Sequence, residues 1–362
     1  MNILHMQISG NPGGIVVLCR DIANNSKENH FMYFIFSGGI IADEMKKENI
    51  NVTVANADRF RWKKSKKELI KFCEDNDIDV IINHAGSPIT ISHVLAVKKA
   101  RPKTKIVMYL HSSAENGLGK KRKRITNWPY LYVFRKKADV IIAISKFVRA
   151  SYQKAWGKNC KIEVAYNGVD PNKFGEHEDY YATGSMELLY VGRLFDGKGI
   201  GVLIEAIGKM DKTIPVHASI VGDGPGRAKY EQLTKELNLE DKITFYGSRA
   251  DVPAFLSKAD FFVHPAVLNE GFGITLAEAL TAGVPCVAFH RGAIPEIIQD
   301  GYNGFVIDEV TSQALSDRLT ECYNIYHGKT KYYELVDNAK ESAHKFEIRK
   351  LVETIEGMLY GL

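Results

Sequence analysis

The sequence has few cysteines and no long apolar run. Its five cysteines are scattered, with no paired spacing, so they offer neither a disulfide framework nor a metal cage; they are Cys19, Cys73, Cys160, Cys286 and Cys322. No stretch approaches the roughly 18 apolar residues that a membrane-spanning helix needs. The opening segment, MNILHMQISG, lacks the basic region of a signal peptide and is typical of a buried strand. These absences together indicate a cytoplasmic protein.

Acidic residues are scarce in the first half of the chain. Residues 1–170 hold 29 Lys and Arg against 15 Asp and Glu, a balance of +14, whereas residues 171–362 hold 19 against 28, a balance of −9. A chain of 362 residues also exceeds the length at which one hydrophobic core usually stops growing. We therefore expect two domains that meet different partners.

Short apolar runs alternate with longer amphipathic segments along both halves. This alternation predicts an α/β fold in which each domain is a doubly wound, Rossmann-like parallel sheet covered by helices. The pattern restarts after YNGVDPNKF, so we predict an N-terminal domain over residues 1–166 and a C-terminal domain over 173–344. A closing helix over about 345–362 is expected to pack back on the first domain. Ligands bind at the carboxyl ends of strands in such sheets, so functional residues are expected just after strands.

The stretch NEGFGITLAEAL places two acids, Glu270 and Glu278, eight positions apart. A helix is predicted from Ile274 to about residue 282, and it follows a Gly-Phe-Gly turn where a ligand can approach the backbone. Glu278 lies one turn inside this otherwise apolar helix, where an unpaired charge would be costly to bury. Its carboxylate is placed to accept hydroxyl hydrogens, as from a ribose diol. A solvated surface glutamate is the alternative.

Two cations, Arg193 and Lys198, share the loop in YVGRLFDGKG that follows a predicted strand. A guanidinium binds phosphate in a bidentate manner and an ammonium adds a point charge. The pair is therefore suited to neutralising a diphosphate leaving group without a metal. Two ordinary loop cations would give the same pattern.

Two further glycine-rich turns follow predicted strands. VGDGPGR, residues 221–227, contains a Gly-x-Gly before a helix, but its spacing is short of a dinucleotide fingerprint, so a plain strand-to-helix turn is the better interpretation. GNPGGI, residues 10–15, contains Gly13 and Gly14, which are able to cradle a phosphate or a sugar edge. A tight turn explains these two glycines nearly as well.

Two histidines end predicted strands of the N-terminal domain: His84 in DVIINH and His111 in KIVMYLH. A lone histidine is more often structural than catalytic, but a position at the ligand-binding edge of the sheet favours function. We regard His111 as the stronger candidate of the two.

Taken in order along the chain, these stretches resemble the family 4 retaining glycosyltransferases of the GT-B fold. The resemblance is carried by PGG near the start, a strand-terminal histidine, YNGVD, VGRL with a later KG, VGDGP and EGFGITLAEALTAGVPCVA. It is strong over residues 160–310 and weak in the N-terminal half. It implies two Rossmann-like domains facing each other across a deep cleft, the first binding the acceptor and the second binding a nucleotide-sugar.

The resemblance implies a role for each candidate residue. Glu278 would hold the ribose hydroxyls, Glu270 would lie beside the donor sugar, and His111 would approach the reacting centre. Arg193 and Lys198 would bind the diphosphate, and the catalytic group would comprise these two with Glu270 and His111. The base would lie near YGSRADV, contacted by backbone. The other implied donor-site residues are Gly13, Gly14, Phe272, Gly273 and Ile274, with Gly247, Ser248 and Arg249 near the base.

The resemblance also implies retention of the anomeric configuration, by a same-face displacement in which the leaving phosphate assists the acceptor hydroxyl. Stabilising the departing charge is then the main catalytic task, and cations and helix N-termini perform it. We expect no metal and no cofactor; the nucleotide-sugar is a co-substrate. Asp77 and Asp79, in an Asp-x-Asp sequence, sit where a predicted helix ends and a strand begins, and are interpreted as boundary residues.

Residues 116–138 contain no acid but are rich in cations and aromatic side chains. A second such cluster, RFRWKKSKK, covers residues 59–67. Both are typical of surfaces that bind anionic lipid headgroups, so we predict peripheral contact with the inner face of the cell membrane. A solvated basic face is the alternative, and no nucleic-acid partner is expected. The residues predicted for this membrane and acceptor surface are Lys120, Lys121, Arg122, Lys123, Arg124 and Trp128.

The sequence therefore predicts a metal-independent hexosyl- or N-acetylhexosaminyl-transferase that uses a nucleotide-sugar, with UDP favoured. The acceptor is expected to be a glycan or a polyprenyl-diphosphate-linked sugar, in bacterial surface polysaccharide synthesis. Three rivals stay open: a non-catalytic GT-B-like binding module, a nucleotide-sugar epimerase of the same architecture and a dinucleotide-dependent oxidoreductase.

Overall fold

The computed structural model of this protein describes residues 1–11, 13–57, 62–117, 129, 131–175 and 184–362. These residues form two compact units. Unit 1 comprises Met1–Gly168 and Ile348–Leu362, and unit 2 comprises Val169–Glu347. Each unit is an α/β structure built on a parallel sheet, which confirms the predicted fold class. In the part of the chain described, no helix is both long and apolar enough to cross a membrane.

Unit 1 is built on a sheet of seven parallel strands. The strands are β1 Asn2–Ser9, β2 Asn29–Ser37, β3 Asn51–Val54, β4 Val80–Asn83, β5 Lys105–Leu110, β6 Val140–Ala143 and β7 Glu163–Val164. They lie in the order β3-β2-β1-β4-β5-β6-β7. All of β4 and all but the first residue of β5 are buried, as expected for β-branched, apolar strands in a sheet covered on both faces. The flanking helices are α1 Gly14–Asn25, α2 Ile40–Lys47, α3 Trp62–Asp75, α4 Pro88–Ala100, α5 Ala114–Gly117 and α6 Lys146–Trp156.

Unit 2 contains a six-stranded parallel sheet. The strands are β8 Met186–Val191, β9 Val216–Val221, β10 Ile243–Gly247, β11 Phe261–His264, β12 Cys286–Phe289 and β13 Gly304–Ile307. They lie in the order β10-β9-β8-β11-β12-β13. The helices are α7 Ile200–Lys209, α8 Arg227–Glu236, α9 Val252–Leu256, α10 Ile274–Thr281, α11 Ser312–His327 and α12 Thr330–Ala343. The core of the unit lies between the sheet and its helices, where Tyr190, Phe261 and Leu319 are fully buried.

The last helix, α13 Ile348–Tyr360, belongs to unit 1. It packs along α1 through an apolar face formed by Ile348, Leu351, Val352, Ile355 and Leu359. Polar contacts fasten its far end: the Ser26 hydroxyl donates to Glu356 Oε1 at 2.5 Å, and the Tyr360 hydroxyl donates to Glu28. Unit 1 therefore needs residues from both ends of the chain to complete its layer of helices.

Both sheets reverse their strand order at a corresponding place. In unit 1, β1 lies between β2 and β4, and in unit 2, β8 lies between β9 and β11. Connections leave such neighbouring strands in opposite directions, which opens a crevice at the carboxyl ends of the two strands. A ligand site is therefore expected at the loops after β1 and β4 in unit 1, and at the loops after β8 and β11 in unit 2.

Candidate functional site

In unit 2, the loop after β8 lies directly against the loop after β11. The backbone N–H groups of Val267 and Leu268 both donate to the carbonyl of Gly197, at 3.1 and 3.2 Å. Gly199 has φ of +73°, and a Cβ there would lie 1.8 Å from the carbonyl oxygen of Pro265. Only glycine fits such a position, because both the left-handed backbone and the close approach exclude a side chain. The two loops are therefore held together as one surface.

Lys198 and Glu270, predicted separately for these two loops, form an ion pair on that surface. The Nζ of Lys198 lies 2.5 Å from Oε1 of Glu270, and their side chains are only 24% and 18% exposed. Burial alone would raise the pKa of Glu270, but the His264 imidazole and the Lys198 ammonium outweigh it and lower that pKa to about 2. Glu270 is thus a carboxylate at any physiological pH.

The backbone of Glu270 is fixed from a third direction. The N–H of Ala293 donates to the carbonyl of Glu270 at 2.9 Å. Gly292, with φ of +65°, would place a Cβ only 2.2 Å from that same carbonyl oxygen. The segment after β12 therefore holds Glu270 in place, which positions its carboxylate toward Lys198.

His264 lies beside this ion pair and was not among the predicted site residues. It ends β11, is buried, and places Nε2 at 3.5 Å from Oε1 of Glu270. Its Nδ1 has no hydrogen-bond partner among the described residues. The criterion that selected His84 and His111, a histidine at the end of a predicted strand, would also have selected His264 from DFFVHP.

Helix α10 begins at the edge of the same surface. Gly273, with φ of +97°, precedes Ile274, so the chain turns sharply into the helix. The N–H of Leu276 donates to the carbonyl of Gly273, whereas the N–H groups of Ile274 and Thr275 have no partner within the helix. Glu278 is half-buried one turn further on, while Leu276 and Leu280 are buried. Phe272 is buried as well, so its contribution to a ligand is limited to backbone.

Arg193 lies at the opposite end of the β8 loop from Lys198. It is exposed, and within the described residues its guanidinium has no carboxylate partner. The loop is held by the VGDGPGR turn: the N–H of Leu194 donates to the carbonyl of Asp223, and that of Gly226 donates to the carbonyl of Leu194, both at 3.0 Å. This turn connects β9 to α8, as predicted, and its packing against the Arg193 loop accounts for it.

The segment predicted to lie near a base follows β10. Gly247 is buried, whereas Ser248 and Arg249 are exposed. The Arg249 guanidinium donates two hydrogen bonds to the Asp251 carboxylate, from Nε at 2.8 Å and from Nη2 at 2.7 Å. The side chain of Arg249 is therefore already occupied, and the backbone is the part of this segment left for a ligand.

Among the described residues of unit 1, the crevice edge has no ion pair of this kind and instead has a row of imidazoles. His84 Nδ1 lies 2.9 Å from His111 Nε2, His84 Nε2 lies 2.9 Å from His5 Nδ1, and His5 Nε2 lies 2.8 Å from His30 Nδ1. Burial lowers the pKa of every ring, to about 4 for His30 and about 3 for His111. All four rings are therefore neutral at pH 7. We call these residues the histidine row.

Sequence reasoning found two members of the histidine row, His84 and His111, and missed the other two. His5 and His30 lie within β1 and β2, on strands that otherwise bury apolar residues. A polar ring inside a buried strand was the available signal. Which rings meet depends on strand order and register, and these only the structure supplies.

Three buried residues at one point of the histidine row lie close enough together to be candidate metal ligands. Ligand atoms of His5, Cys19 and His84 lie within 4.8 Å of one another, and all three residues are buried. Cys19 Sγ lies 3.4 Å from His84 Nε2 and accepts a hydrogen bond from Gln7 at 3.0 Å. Burial raises the pKa of the Cys19 thiol, which keeps it protonated. These three residues are the group in the described chain that could hold a metal.

The other residues predicted for unit 1 divide into two sets. Asp77 and Asp79 lie between α3 and β4, where Asp77 pairs with Arg101 at 3.1 Å and Asp79 accepts from the N–H of Asn2 at 2.8 Å, so both are boundary residues. Six residues of the predicted membrane surface lie outside the described residues. They are Lys120, Lys121, Arg122, Lys123, Arg124 and Trp128.

Gly13 and Gly14 show no structural need for glycine. Gly13 has φ of 178°, an extended conformation that any residue adopts. A Cβ on Gly14 would meet no described atom within 4 Å. The tight-turn explanation of these glycines is therefore weakened, and the backbone at the start of α1 is left open.

Two known families match successive parts of the chain. Residues 12–173 match the family described as Glycosyltransferase Family 4, and residues 180–345 match the family described as Glycosyl transferases group 1. Among similar curated proteins, the N-acetyl-alpha-D-glucosaminyl L-malate synthase of Bacillus anthracis is 24% identical over 82% of this chain and 78% of its own length. The putative colanic acid biosynthesis glycosyltransferase WcaL of Salmonella typhimurium is 31% identical over 55% of this chain and 50% of its own length. The chain thus spans only half of the length of WcaL.

Among solved structures, HepE of Anabaena in complex with UDP has a TM-score of 0.86 at 22% identity, over 100% of both chains. The same protein is also known in complex with UDP-glucose, with a TM-score of 0.85. At this identity the likeness establishes the fold, which is the GT-B type.

Proposed function

Since this chain belongs to the glycosyltransferases described by these two families, Glycosyltransferase Family 4 and Glycosyl transferases group 1, we propose that it transfers a sugar from a UDP-sugar, with retention of configuration, to a glycan or lipid-linked acceptor. The observation that carries the proposal is the Lys198–Glu270 ion pair in the crevice of unit 2. It lies at the place where the strand order of the sheet reverses, and nucleotides bind there in folds of this kind. HepE, which has the same fold, binds UDP and UDP-glucose, and WcaL is named for colanic acid biosynthesis.

We assign the parts of the donor along the surface of unit 2. Glu278, half-buried in α10, would accept hydrogen bonds from the ribose hydroxyls. Arg193 and Lys198 would bind the diphosphate, and Glu270 would accept from hydroxyls of the sugar. The free N–H groups at the start of α10 would meet sugar or phosphate oxygens. Unit 1 would bind the acceptor and bring His111 to the substrates.

The ion pair also suggests how leaving-group charge is handled. Glu270 neutralises the Lys198 ammonium through their ion pair. A diphosphate would compete for that ammonium, most strongly as negative charge develops on the departing oxygen. Arg193, which has no carboxylate partner among the described residues, would supply a second cation. Two such groups can stabilise the departing diphosphate, and we propose that the reaction uses no metal on this basis.

A membrane-associated acceptor is supported by charge. Residues 1–170 carry a balance of +14, and the acid-free stretch 116–138 adds interleaved aromatic residues. We propose peripheral binding to the anionic inner face of the cell membrane, close to a polyprenyl-linked acceptor. Flotation with liposomes tests this: retention by anionic and not by neutral vesicles is expected, and equal behaviour with both would contradict it.

The donor is identified by a screen of nucleotide-sugars for thermal stabilisation and slow hydrolysis. A UDP-sugar is expected to raise the melting temperature, because a ligand that binds only the folded state stabilises it. Glu278→Ala should weaken donor binding by about 10- to 100-fold, the usual cost of losing hydrogen bonds to a charged group. Glu240→Ala, at an exposed position, is the matched control.

Three results would count against the proposal. Stabilisation by GDP-sugars alone would make the nucleotide assignment wrong. Interconversion of the donor sugar without acceptor would identify an epimerase, and binding without any turnover would identify a non-catalytic module.

A further inference from the structure

The histidine row extends from near the amino-terminal end of β2 to the carboxyl edge of the unit 1 sheet. His30 on β2, His5 on β1 and His84 at the end of β4 are buried, and His111 at the end of β5 is half-buried. Adjacent rings approach to 2.8–2.9 Å between nitrogens at all three contacts. Nothing in the proposed function requires His5 or His30, so the row calls for its own explanation.

The distances distinguish hydrogen bonds from metal ligation. Two nitrogens bound tetrahedrally to zinc at about 2.0–2.1 Å lie about 3.3 Å apart. The 2.9 Å separation of His5 Nδ1 and His84 Nε2 is shorter than that and is normal for an N–H···N hydrogen bond. The same spacing recurs at His111 and His30, beyond the reach of Cys19. Hydrogen bonds between the rings account for all three nitrogen–nitrogen contacts, whereas a metal ion at His5, Cys19 and His84 would account only for the contact between His5 and His84.

Neutral imidazoles restrict how such a row can be protonated. A neutral ring has one N–H donor and one acceptor nitrogen, so each contact needs a donor on one side only. Once the protonated nitrogen of one ring is assigned, the protonated nitrogens of the other three rings are determined. Only two arrangements exist in which all three contacts are hydrogen bonds: every Nδ1–H donates toward His111, or every Nε2–H donates toward His30.

The buried end of the row selects between the two arrangements. His30 Nε2 is buried and has no hydrogen-bond partner in the described part of the chain. Donation toward His30 would leave an N–H orphaned at that atom, and orphaned buried N–H groups are the rarer kind of defect. Donation toward His111 leaves only a lone pair, and no N–H, without a partner at His30 Nε2. This arrangement puts the His111 proton on Nδ1, because its Nε2 accepts from His84.

We propose that the histidine row fixes His111 in the Nδ1–H tautomer, so that a neutral donor of known direction is available to the substrates at the carboxyl end of β5. His84, His5 and His30 are then positioning residues that act through His111. The claim that the recognised substrate is a nucleotide-sugar rests on the proposed function. The tautomer itself does not, and the two can be tested separately.

The tautomer is measured directly by NMR of the wild-type protein labelled with nitrogen-15 in histidine. The four rings are expected to show Nδ1 protonated and Nε2 unprotonated. An Nε2–H form of His111, or one equivalent of bound metal in the purified protein, would overturn the proposal. This measurement depends on no variant and on no assay of activity.

The positioning role is tested with two amides at residue 84. The amide nitrogen of His84→Asn takes the place of Nδ1 and can still donate to His111, whereas that of His84→Gln takes the place of Nε2 and cannot. We expect His84→Asn to keep the His111 tautomer and most activity. His84→Gln should release the tautomer and lower kcat by about tenfold, the value of one hydrogen bond in the transition state.

The pair His5→Asn and His5→Gln repeats the test one ring further from the substrate and covers the case in which a residue 84 variant does not fold. Equal activity of the Asn and Gln variants at both positions would overturn the positioning role. If the wild-type tautomer is as stated and no nucleotide-sugar is turned over, the proposed function fails and the tautomer assignment stands.

Discussion

The crevice edges of the two units have the same strand order and different chemistry. In unit 2 the residues after β8 and β11 carry charge, and Lys198, Glu270 and His264 lie within contact of one another. In unit 1 the corresponding edge presents His84 and His111, neutral and joined by hydrogen bonds. The topology determines where a ligand site forms, and the residues after the strands determine what it can bind.

The crevice edges of the two units also differ in the free-energy cost of burying their side chains. A partly buried charge must keep its counter-charge, because an unpaired ion is strongly destabilising. A buried neutral imidazole needs only a hydrogen bond, but it must remain uncharged. The unit 2 site should therefore be sensitive to loss of one partner, and the unit 1 site to acid.

The largest effect is expected from breaking the ion pair in unit 2. Lys198→Met should lower turnover by about a thousandfold, since it removes a cation from the departing charge. It should also lower the free energy of unfolding by about 2 kcal/mol, because Glu270 keeps an uncompensated charge. Transfer assays and urea unfolding measure the two effects.

The double variant Lys198→Met with Glu270→Gln is the control for this prediction. It should recover most of the lost stability and none of the turnover. A double variant that is no more stable than the single one would show that the pair does not compensate Glu270.

Acid should affect unit 1 before unit 2. The pKa of each buried imidazole of the row is below its ordinary value of 6.5, so the unfolded chain takes up protons first and stability is lost as the pH falls below about 6.5. For His5, His30 and His84 together, the loss between pH 7.5 and 5.5 is about 4 kcal/mol. All three tryptophans lie in the first 168 residues, so their fluorescence in urea reports unit 1 alone. A urea midpoint in fluorescence that does not change over this range would contradict the prediction.

Glu270 should give unit 2 an acid sensitivity of its own at lower pH. Its pKa falls from 4.5 to about 2 on folding, so its contribution is complete above about pH 5.5 and is lost as the pH falls toward 2. Between pH 5 and pH 3 the loss is about 2 kcal/mol. The difference in unfolding free energy between wild type and Glu270→Gln should shrink by that amount, as measured by circular dichroism, while the tryptophan signal is the same in both proteins.

The smallest stability effect is expected at Gly14, on the unit 1 edge. Gly14→Ala meets no described atom and should leave stability unchanged or raise it by up to about 0.5–1 kcal/mol. If a substrate approaches this backbone, kcat/KM should still fall by about tenfold, or roughly 1.4 kcal/mol. Gly357→Ala, at an open and exposed position within α13, is the matched control and should change stability alone. Equal kcat/KM in the two variants would show that no substrate approaches the backbone at Gly14.

The sequence was informative about which candidate residues lie just after a strand. Lys198, Arg193 and Glu270 could be selected in this way, because the ends of parallel strands meet at one edge of the sheet. Glu278 was selected for a different reason, as an acid within an otherwise apolar helix. The pairing of Lys198 with Glu270 could not be selected in this way, because it joins residues 72 positions apart and requires β8 and β11 to be neighbours.

The histidine row was hidden for a similar reason. His5 and His30 come from adjacent strands in a register that pairs His5 with Met32 and Ile3 with His30. The two imidazoles are therefore diagonal neighbours on one face of the sheet, a relation that no spacing along one strand reveals. Buried polar residues within strands are the sequence signal that such a network leaves.

The return of α13 to unit 1 has a consequence for synthesis. Unit 2 is continuous in sequence, whereas unit 1 is interrupted by it between Gly168 and Ile348. A ribosome that adds about 5–20 residues per second takes about 10–40 seconds to pass through unit 2. For that time α1 has made no contact with the apolar face of α13, and the nascent unit 1 exposes a hydrophobic strip. The first unit to be translated is therefore the last to be finished.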